Sequence, residues 1–209
     1  MKKIILTCAT TGILLATPVM AEVSASAALS TEYIWRGATQ TSDDMAYSGG
    51  VDYSNDNGAY AGVWASNVDF GDADIEVDVY GGYSAAINDD LSWDVGFISY
   101  NYPGAKGRFD ELYVGLAYGA YSITYYDDID LRADGSIGSY VEAGADFEVG
   151  DYGVSLHLGN YDFEQGYSVV DYRVAFSTEI EGFGVELAVS DSDAEKTATD
   201  VTLTVSMGF

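Results

Sequence analysis

Apolar and polar residues alternate with a period of two along most of the chain after residue 21, the signature of strands with two unlike faces. The clearest case is the last nine residues, VTLTVSMGF. There Val201, Leu203, Val205, Met207 and Phe209 share one face, and Thr202, Thr204, Ser206 and Gly208 share the other. A strict alternation that ends on an aromatic suits the closing strand of a transmembrane barrel, with lipid on one side and water on the other. Those five apolar residues are the expected signal for the barrel assembly machinery. An edge strand of a soluble sandwich would alternate in the same way over so short a run.

Twelve such segments can be read, and the connections between them fall into two classes that take turns. Short ones at 55–58, 88–90, 119–120, 150–152 and 181–183 are rich in Asn, Asp and Gly, which accept the positive φ angles of tight hairpins. The others, 37–46, 69–73, 101–108, 127–138, 162–169 and 191–198, are mostly longer. Short turns on one side and long loops on the other predict an all-β fold, an antiparallel up-and-down outer-membrane barrel with periplasmic turns and extracellular loops. Twelve strands fit best, and ten or fourteen would also keep the even count.

The alternation assigns faces. In the fourth segment Ile75, Val77 and Val79 oppose Asp74, Glu76 and Asp78; in the eighth Val141, Ala143, Ala145 and Phe147 oppose Glu142, Gly144, Asp146 and Glu148. In the tenth Tyr172, Val174 and Phe176 oppose Asp171, Arg173, Ala175, Ser177 and Glu179. A charge on the lipid face is costly, so the charged side must face the lumen. The third segment is apolar or small on both faces, with Tyr60, Trp64 and Val68 against Ala61, Val63 and Ala65, and its register stays open.

Ahead of the strands, Lys2 and Lys3 precede an apolar stretch from Ile4 to Ala16 and then Val19-Met20-Ala21. That is a secretory signal peptide over residues 1–21, with cleavage expected between Ala21 and Glu22. Cys8 leaves with it, so the exported domain, residues 22–209, has no disulfide, thiolate metal site or cysteine nucleophile. No later apolar run reaches the roughly 18 residues of a spanning helix, so a membrane location requires a closed barrel. The formal net charge of -26 excludes nucleic acid as a partner and disfavours anionic phospholipid surfaces.

Aromatics gather near expected strand ends, at Tyr33, Trp35, Phe70, Tyr100, Tyr102, Tyr125, Tyr126, Tyr161 and Phe209, where rings form the girdles of membrane barrels. The stretches YIWRGATQ (Tyr33 to Gln40), GAYAGVWASNVDF (Gly58 to Phe70), VDVYGGY (Val77 to Tyr83), YNYPG (Tyr100 to Gly104) and ELYVG (Glu111 to Gly115) carry a family likeness. Together they resemble the TorF-type porin family of proteobacteria, the Gcw-type family of outer-membrane proteins, with Thr39 where that pattern has Ser. The resemblance spans nearly all of the exported domain. It implies an outer-membrane porin-like barrel and neither a substrate nor functional residues.

By the alternation the lumen holds Glu32, Asp52, Asp74, Glu76, Asp78, Asp94, Glu111, Glu142, Asp146, Asp171, Glu179, Glu186 and Asp200, against Arg36 and Arg173. A passage lined this way concentrates cations, so the chemistry expected is a cation-preferring passive channel for ions or small hydrophilic solutes in the outer membrane of a Gram-negative bacterium. An acidic excess arising from a saline habitat is the competing explanation. No cofactor is implied. An ordered metal site is not expected: acids two apart on a strand are about 6.6 to 7 Å apart, whereas calcium ligands sit about 2.3 to 2.6 Å from the ion. Loop acids such as Asp127, Asp128, Asp130, Asp134, Asp191 and Asp193 could hold divalent ions only loosely.

The single histidine, His157, shares its inferred face with Ser155, the ingredients of an acyl hydrolase, but its mid-strand setting suits a lumen hydrogen-bond network better. An alternative is a structural or surface-interaction barrel with a blocked lumen, since Tyr80, Tyr113, Tyr126 and Tyr140 all point inward. Small inward residues such as Gly96, Gly115, Ala117, Gly144 and Ala175 would have to line up to leave it open.

Overall fold

Alternating sequence becomes a closed antiparallel barrel because each strand can satisfy its backbone on both sides and leave no edge. The computed structural model describes residues 22–105, 107–129, 136–194 and 198–209, with the backbone alone at residue 70. The expected signal peptide with Ala21, and the loop acids Asp130 and Asp134, lie outside the described residues.

The strands are β1 (Glu22–Ser30), β2 (Ile34–Trp35), β3 (Ala38–Thr39), β4 (Ala46–Ser54), β5 (Ala59–Phe70), β6 (Ala73–Ala86), β7 (Leu91–Asn101), β8 (Arg108–Tyr118), β9 (Tyr121–Asp128), β10 (Gly138–Val149), β11 (Tyr152–Phe163), β12 (Tyr167–Ile180), β13 (Phe183–Ser192) and β14 (Asp200–Gly208). Twelve of them form the barrel in sequence order, and β2 and β3 make a separate two-stranded hairpin. Closure comes from β1 against β14, with Ser26 opposite Gly208 and Ser30 opposite Thr204. Phe209 extends the seam through paired backbone hydrogen bonds with Ala25.

The outer face carries the apolar members of the alternation. Val63, Val79, Val95, Val114, Ile123, Leu158, Val174, Leu187 and Leu203 are all exposed to the surroundings, as a lipid-facing band requires. This settles the third segment: Tyr60, Gly62, Trp64 and Ser66 share the inward parity, while Val63 faces out. Several loops are shorter than the sequence suggested. The connection expected over 69–73 is a two-residue turn at Gly71 and Asp72, and that expected over 162–169 shrinks to 164–166, because the strands continue past the apolar band.

Inward tyrosines fit because glycine faces them on the next strand. Gly62 pairs with Tyr80, Tyr60 with Gly82 and Gly96 with Tyr113, so each ring lies over a position without a side chain. A Cβ at Gly82 would collide with Tyr60 Oη and stand 2.6 Å from the Val95 carbonyl oxygen. The glycines expected to open the lumen instead receive rings and hydroxyls, Gly96 under Tyr113 and Gly144 under Ser122.

The aromatic girdle is also redrawn. Tyr100, Tyr126 and Tyr161 are buried inside, and Tyr33 and Trp35 lie in the lumen on a folded-in loop. Tyr125 and Phe209 remain on the outside, joined by Tyr118, Tyr121, Tyr152 and Phe183. Strand parity, which decides the face, outweighs nearness to a strand end.

Gly82→Ala should lower the urea midpoint of refolded barrel by the equivalent of about 1–3 kcal/mol, the usual cost of overpacking. An unchanged midpoint would show that both the Tyr60 ring and the Val95 backbone give way freely.

Candidate functional site

The segment between β1 and β4 does not extend outward as a loop. It turns into the barrel, because Ile34-Trp35 and Ala38-Thr39 pair around a two-residue turn at Arg36 and Gly37. Both turn residues have positive φ, 47° and 73°, the geometry of a tight hairpin. Glycine adopts it freely; arginine does so at a cost, and persists there only where its surroundings hold it. At the base of the hairpin the Gln40 backbone N–H donates to the Tyr33 carbonyl at 2.7 Å, and the Tyr33 N–H donates to Thr41 Oγ1 at 3.1 Å. Thr41 is fully buried. A break in the β5 register between Asn67 and Phe70 frees the Asp69 N–H to donate to the Gln40 carbonyl at 2.7 Å. That tethers the hairpin to the wall.

The surroundings that hold Arg36 are extensive. Its Nη1 and Nη2 donate to the two Glu111 carboxylate oxygens at 2.7 and 2.8 Å, a fork-on-fork pair. The side chains are 6% and 1% exposed, so the pair is desolvated. Tyr100 also donates to Glu111, at 3.0 Å. The guanidinium carbon lies 4.1 Å from the ring centre of Tyr140, 4.3 Å from Trp35, 4.9 Å from Tyr126 and 5.2 Å from Tyr161, all within cation–π reach. The hairpin tip packs closely on β12 and β13, next to the strands that hold Arg36. A Cβ at Gly37 would stand 2.7 Å from Asp171 Cβ and 2.8 Å from Ser192 Cβ.

Beside this seat, His157 Nε2 lies 2.8 Å from Asp171 Oδ1 and 3.0 Å from the Tyr140 hydroxyl, and its Nδ1 is 3.7 Å from Glu142. Tyr126 donates to Glu142 at 3.1 Å. Lower in the barrel Tyr60 donates to Asp94 at 2.6 Å and bonds Tyr113, while Tyr80 donates to Asp52. Nearer the long-loop end Tyr33 donates to Glu76 at 2.9 Å. One side of the lumen, from β5 to β11, is thus filled by tyrosines and their carboxylate acceptors.

The other side differs. Between the hairpin and the wall formed by β12, β13, β14, β1 and β4 runs a cavity of about 70 Å³. Its lining includes Ser30, Ser48, Ser190, Thr202 and Thr204, with Trp64 and Tyr33 across from them. Arg173 and Glu186 face it as an ion pair. At its outer mouth the carboxylates of Glu32, Asp43 and Asp200 lie within 4.8 Å of one another. Burial raises the pKa of Glu32; a hydrogen bond to Thr39 opposes this, and the charges of Asp200 and Asp43 add to it.

The chain's sequence decides its family. The profile of Gcw_chp, described as a bacterial protein of unknown function, matches residues 16–208. The chain belongs to this family. No curated protein matches it in sequence. Among solved structures, the KdgM porin aligns with a TM-score of 0.64 at 12% identity, covering 89% of this chain and 98% of that one. A KdgM porin in complex with disordered oligogalacturonate aligns with a TM-score of 0.64 at 13% identity, covering 89% and 99%. The NanC porin aligns with a TM-score of 0.57 at 11% identity, covering 88% and 98%. At these identities the likeness is one of fold, so this Gcw_chp chain has the barrel of outer-membrane porins.

Within that barrel the acids expected to line a pore have separate fates. Glu76, Asp78, Asp94, Glu111 and Asp171 are buried, and Glu142 is half-buried against Tyr126 and His157. Glu186 and Arg173 border the cavity. Asp74, Asp146 and Glu179 are exposed on strand stretches near the two rims. The loop acids are engaged locally: Asp128 accepts from the Ile137 N–H, Asp193 from the Val170 N–H at 2.7 Å, and Asp191 from Thr199 at 2.6 Å. The alternation does not reveal the hairpin, because Arg-Gly is not one of the residue pairs that mark a two-residue turn and each flanking strand is only two residues long.

Glu111→Gln leaves the Arg36 charge buried without its partner and should cost about 3–5 kcal/mol of barrel stability. Urea unfolding of the refolded protein followed by tryptophan fluorescence measures it; a loss below about 1 kcal/mol, the size of an exposed pair, would mean the site is wet.

Proposed function

We propose that the protein is an outer-membrane channel, reached after signal-directed export, for passive passage of ions and small hydrophilic solutes with a preference for cations. The observation that carries the reading is the cavity beside the hairpin, lined by serine and threonine hydroxyls among apolar side chains such as Ala28, Ile34, Ala46 and Trp64, with three clustered carboxylates beside it. The hydroxyls can wet a passage without fixing its charge preference. The Arg173–Glu186 pair is formally neutral, so the acids at the mouth set the sign of the field. Lipid meets the outer apolar face. The alternating Val201, Leu203, Val205, Met207 and Phe209 on β14 supply the surface that the assembly machinery would read.

KdgM is described in complex with an oligogalacturonate, a polyanion. The described cations of this lumen do not favour such a solute, because Arg36 is engaged by Glu111 and Arg173 by Glu186. An acyl hydrolase is disfavoured too. The His157 Nε2 that would activate a serine is engaged by Asp171 and Tyr140.

One observation favours a second reading, a structural barrel with a closed lumen: the hairpin fills the centre and is anchored on several sides. The two readings separate in planar-bilayer recording of purified protein in a salt gradient. The channel reading expects small conductance steps and a reversal potential of cation-selective sign. That preference should weaken in the Glu32→Gln/Asp43→Asn/Asp200→Asn protein. It should also weaken as the pH falls through a range above the ordinary glutamate pKa, where Glu32 takes up its proton. An anion-selective reversal potential overturns the preference, and a silent bilayer favours the closed barrel.

A further inference from the structure

We infer that the seat of Arg36 is a binding site for an alkylguanidinium cation, and that Arg36 is a ligand mimic tethered to the same chain. The site consists of the Glu111 carboxylate and the rings of Tyr126, Tyr140 and Tyr161. These come from β8, β9, β10 and β11, four neighbouring strands of the barrel wall. Of the contacts made by the guanidinium, only that with Trp35 belongs to the hairpin. The other contacts come from the barrel wall, and Trp35 of the hairpin closes the seat against Tyr100, Phe109 and Tyr161.

Its chemistry selects one class of ligand. Two carboxylate oxygens at 2.7 and 2.8 Å from the two terminal nitrogens match the planar fork of a guanidinium, which an ammonium cannot reproduce with a single nitrogen. Ring faces 4.1 to 5.2 Å from Cζ supply cation–π attraction in a site from which water is excluded. Two of the three rings are held by wall carboxylates other than Glu111, Tyr140 by Asp171 and Tyr126 by Glu142, which favours a preorganised cage.

The occupant is held under tension. Arg36 reaches the seat only from a backbone with φ of 47°, a conformation a free ligand does not need. A diffusing alkylguanidine carries no such strain and competes on better terms per contact, though against the high effective concentration of a tethered group. This inference concerns the seat alone and stands whether or not the cavity beside it conducts.

The test is calorimetric titration of methylguanidinium chloride into detergent-refolded Arg36→Ala protein, with methylammonium chloride as comparator. The expected result is saturable binding of methylguanidinium at least ten times tighter than of methylammonium, and at least ten times weaker binding to wild type, where Arg36 competes. Binding should vanish in Arg36→Ala/Glu111→Gln. Absence of saturable binding to Arg36→Ala overturns the inference, as does equal binding of methylammonium or survival of binding without Glu111. Should Arg36→Ala fail to refold alone, refolding with methylguanidinium present should restore the heat-modifiable gel migration of a folded barrel, and failure of that rescue overturns the inference equally.

Discussion

A single desolvated bond, from the Arg36 guanidinium to the Glu111 carboxylate, organises the interior of this barrel. A twelve-stranded sheet closed on itself is too wide for its own small side chains to fill, and an unfilled lumen admits water throughout. The hairpin of β2 and β3 supplies the missing mass. It could not stay there by burial alone, since its tip carries a positive charge into a region of low dielectric. Glu111 meets that charge with matched geometry, and the aromatic faces around it lower the cost of removing water. Without the carboxylate the same arginine would drive the hairpin out.

From that anchor the lumen divides. The side that receives the anchor is lined with tyrosines, several laid over glycines on the adjacent strand and several donating to carboxylates: Tyr60 to Asp94, Tyr33 to Glu76, Tyr126 to Glu142. Acids that a count along the strands would assign to open water are acceptors in this packed wall. The opposite side keeps serine and threonine and stays open beside the hairpin. Carboxylates without a basic partner among the described residues therefore cluster at the mouth of the cavity, at Glu32, Asp43 and Asp200, whereas Glu186 farther along is paired with Arg173.

The barrel was legible because membrane strands write their faces into the sequence with a period of two. Strand number, order and the lipid face of residues such as Val79, Val174 and Leu203 follow from that period and from alternating turn lengths. The site was less legible, for a physical reason. Parity tells which way a side chain points and says nothing about what else occupies the space it points into. Arg36 was expected to face inward as a strand residue and does point inward, but from a turn inside the lumen. Tyr33 and Trp35 were expected at the membrane boundary because their position along the chain is near a strand end. The chain instead reverses after Ser30, and the two rings meet Trp64 and Tyr100 within the barrel. Gly96 and Gly144 read as open space, whereas each is the seat of a side chain from the next strand. Register across the sheet, which the order of residues along a strand leaves open, decides such cases.

Iodide quenching of Trp35 in lipid vesicles tests the inward hairpin most directly, using protein with Trp64 and Trp93 replaced by Phe so that one tryptophan reports. With Glu111 intact, Trp35 should be shielded and quench weakly, and with Glu111→Gln it should become accessible. Trp35 that quenches as freely as an exposed tryptophan while Glu111 is present would contradict the account.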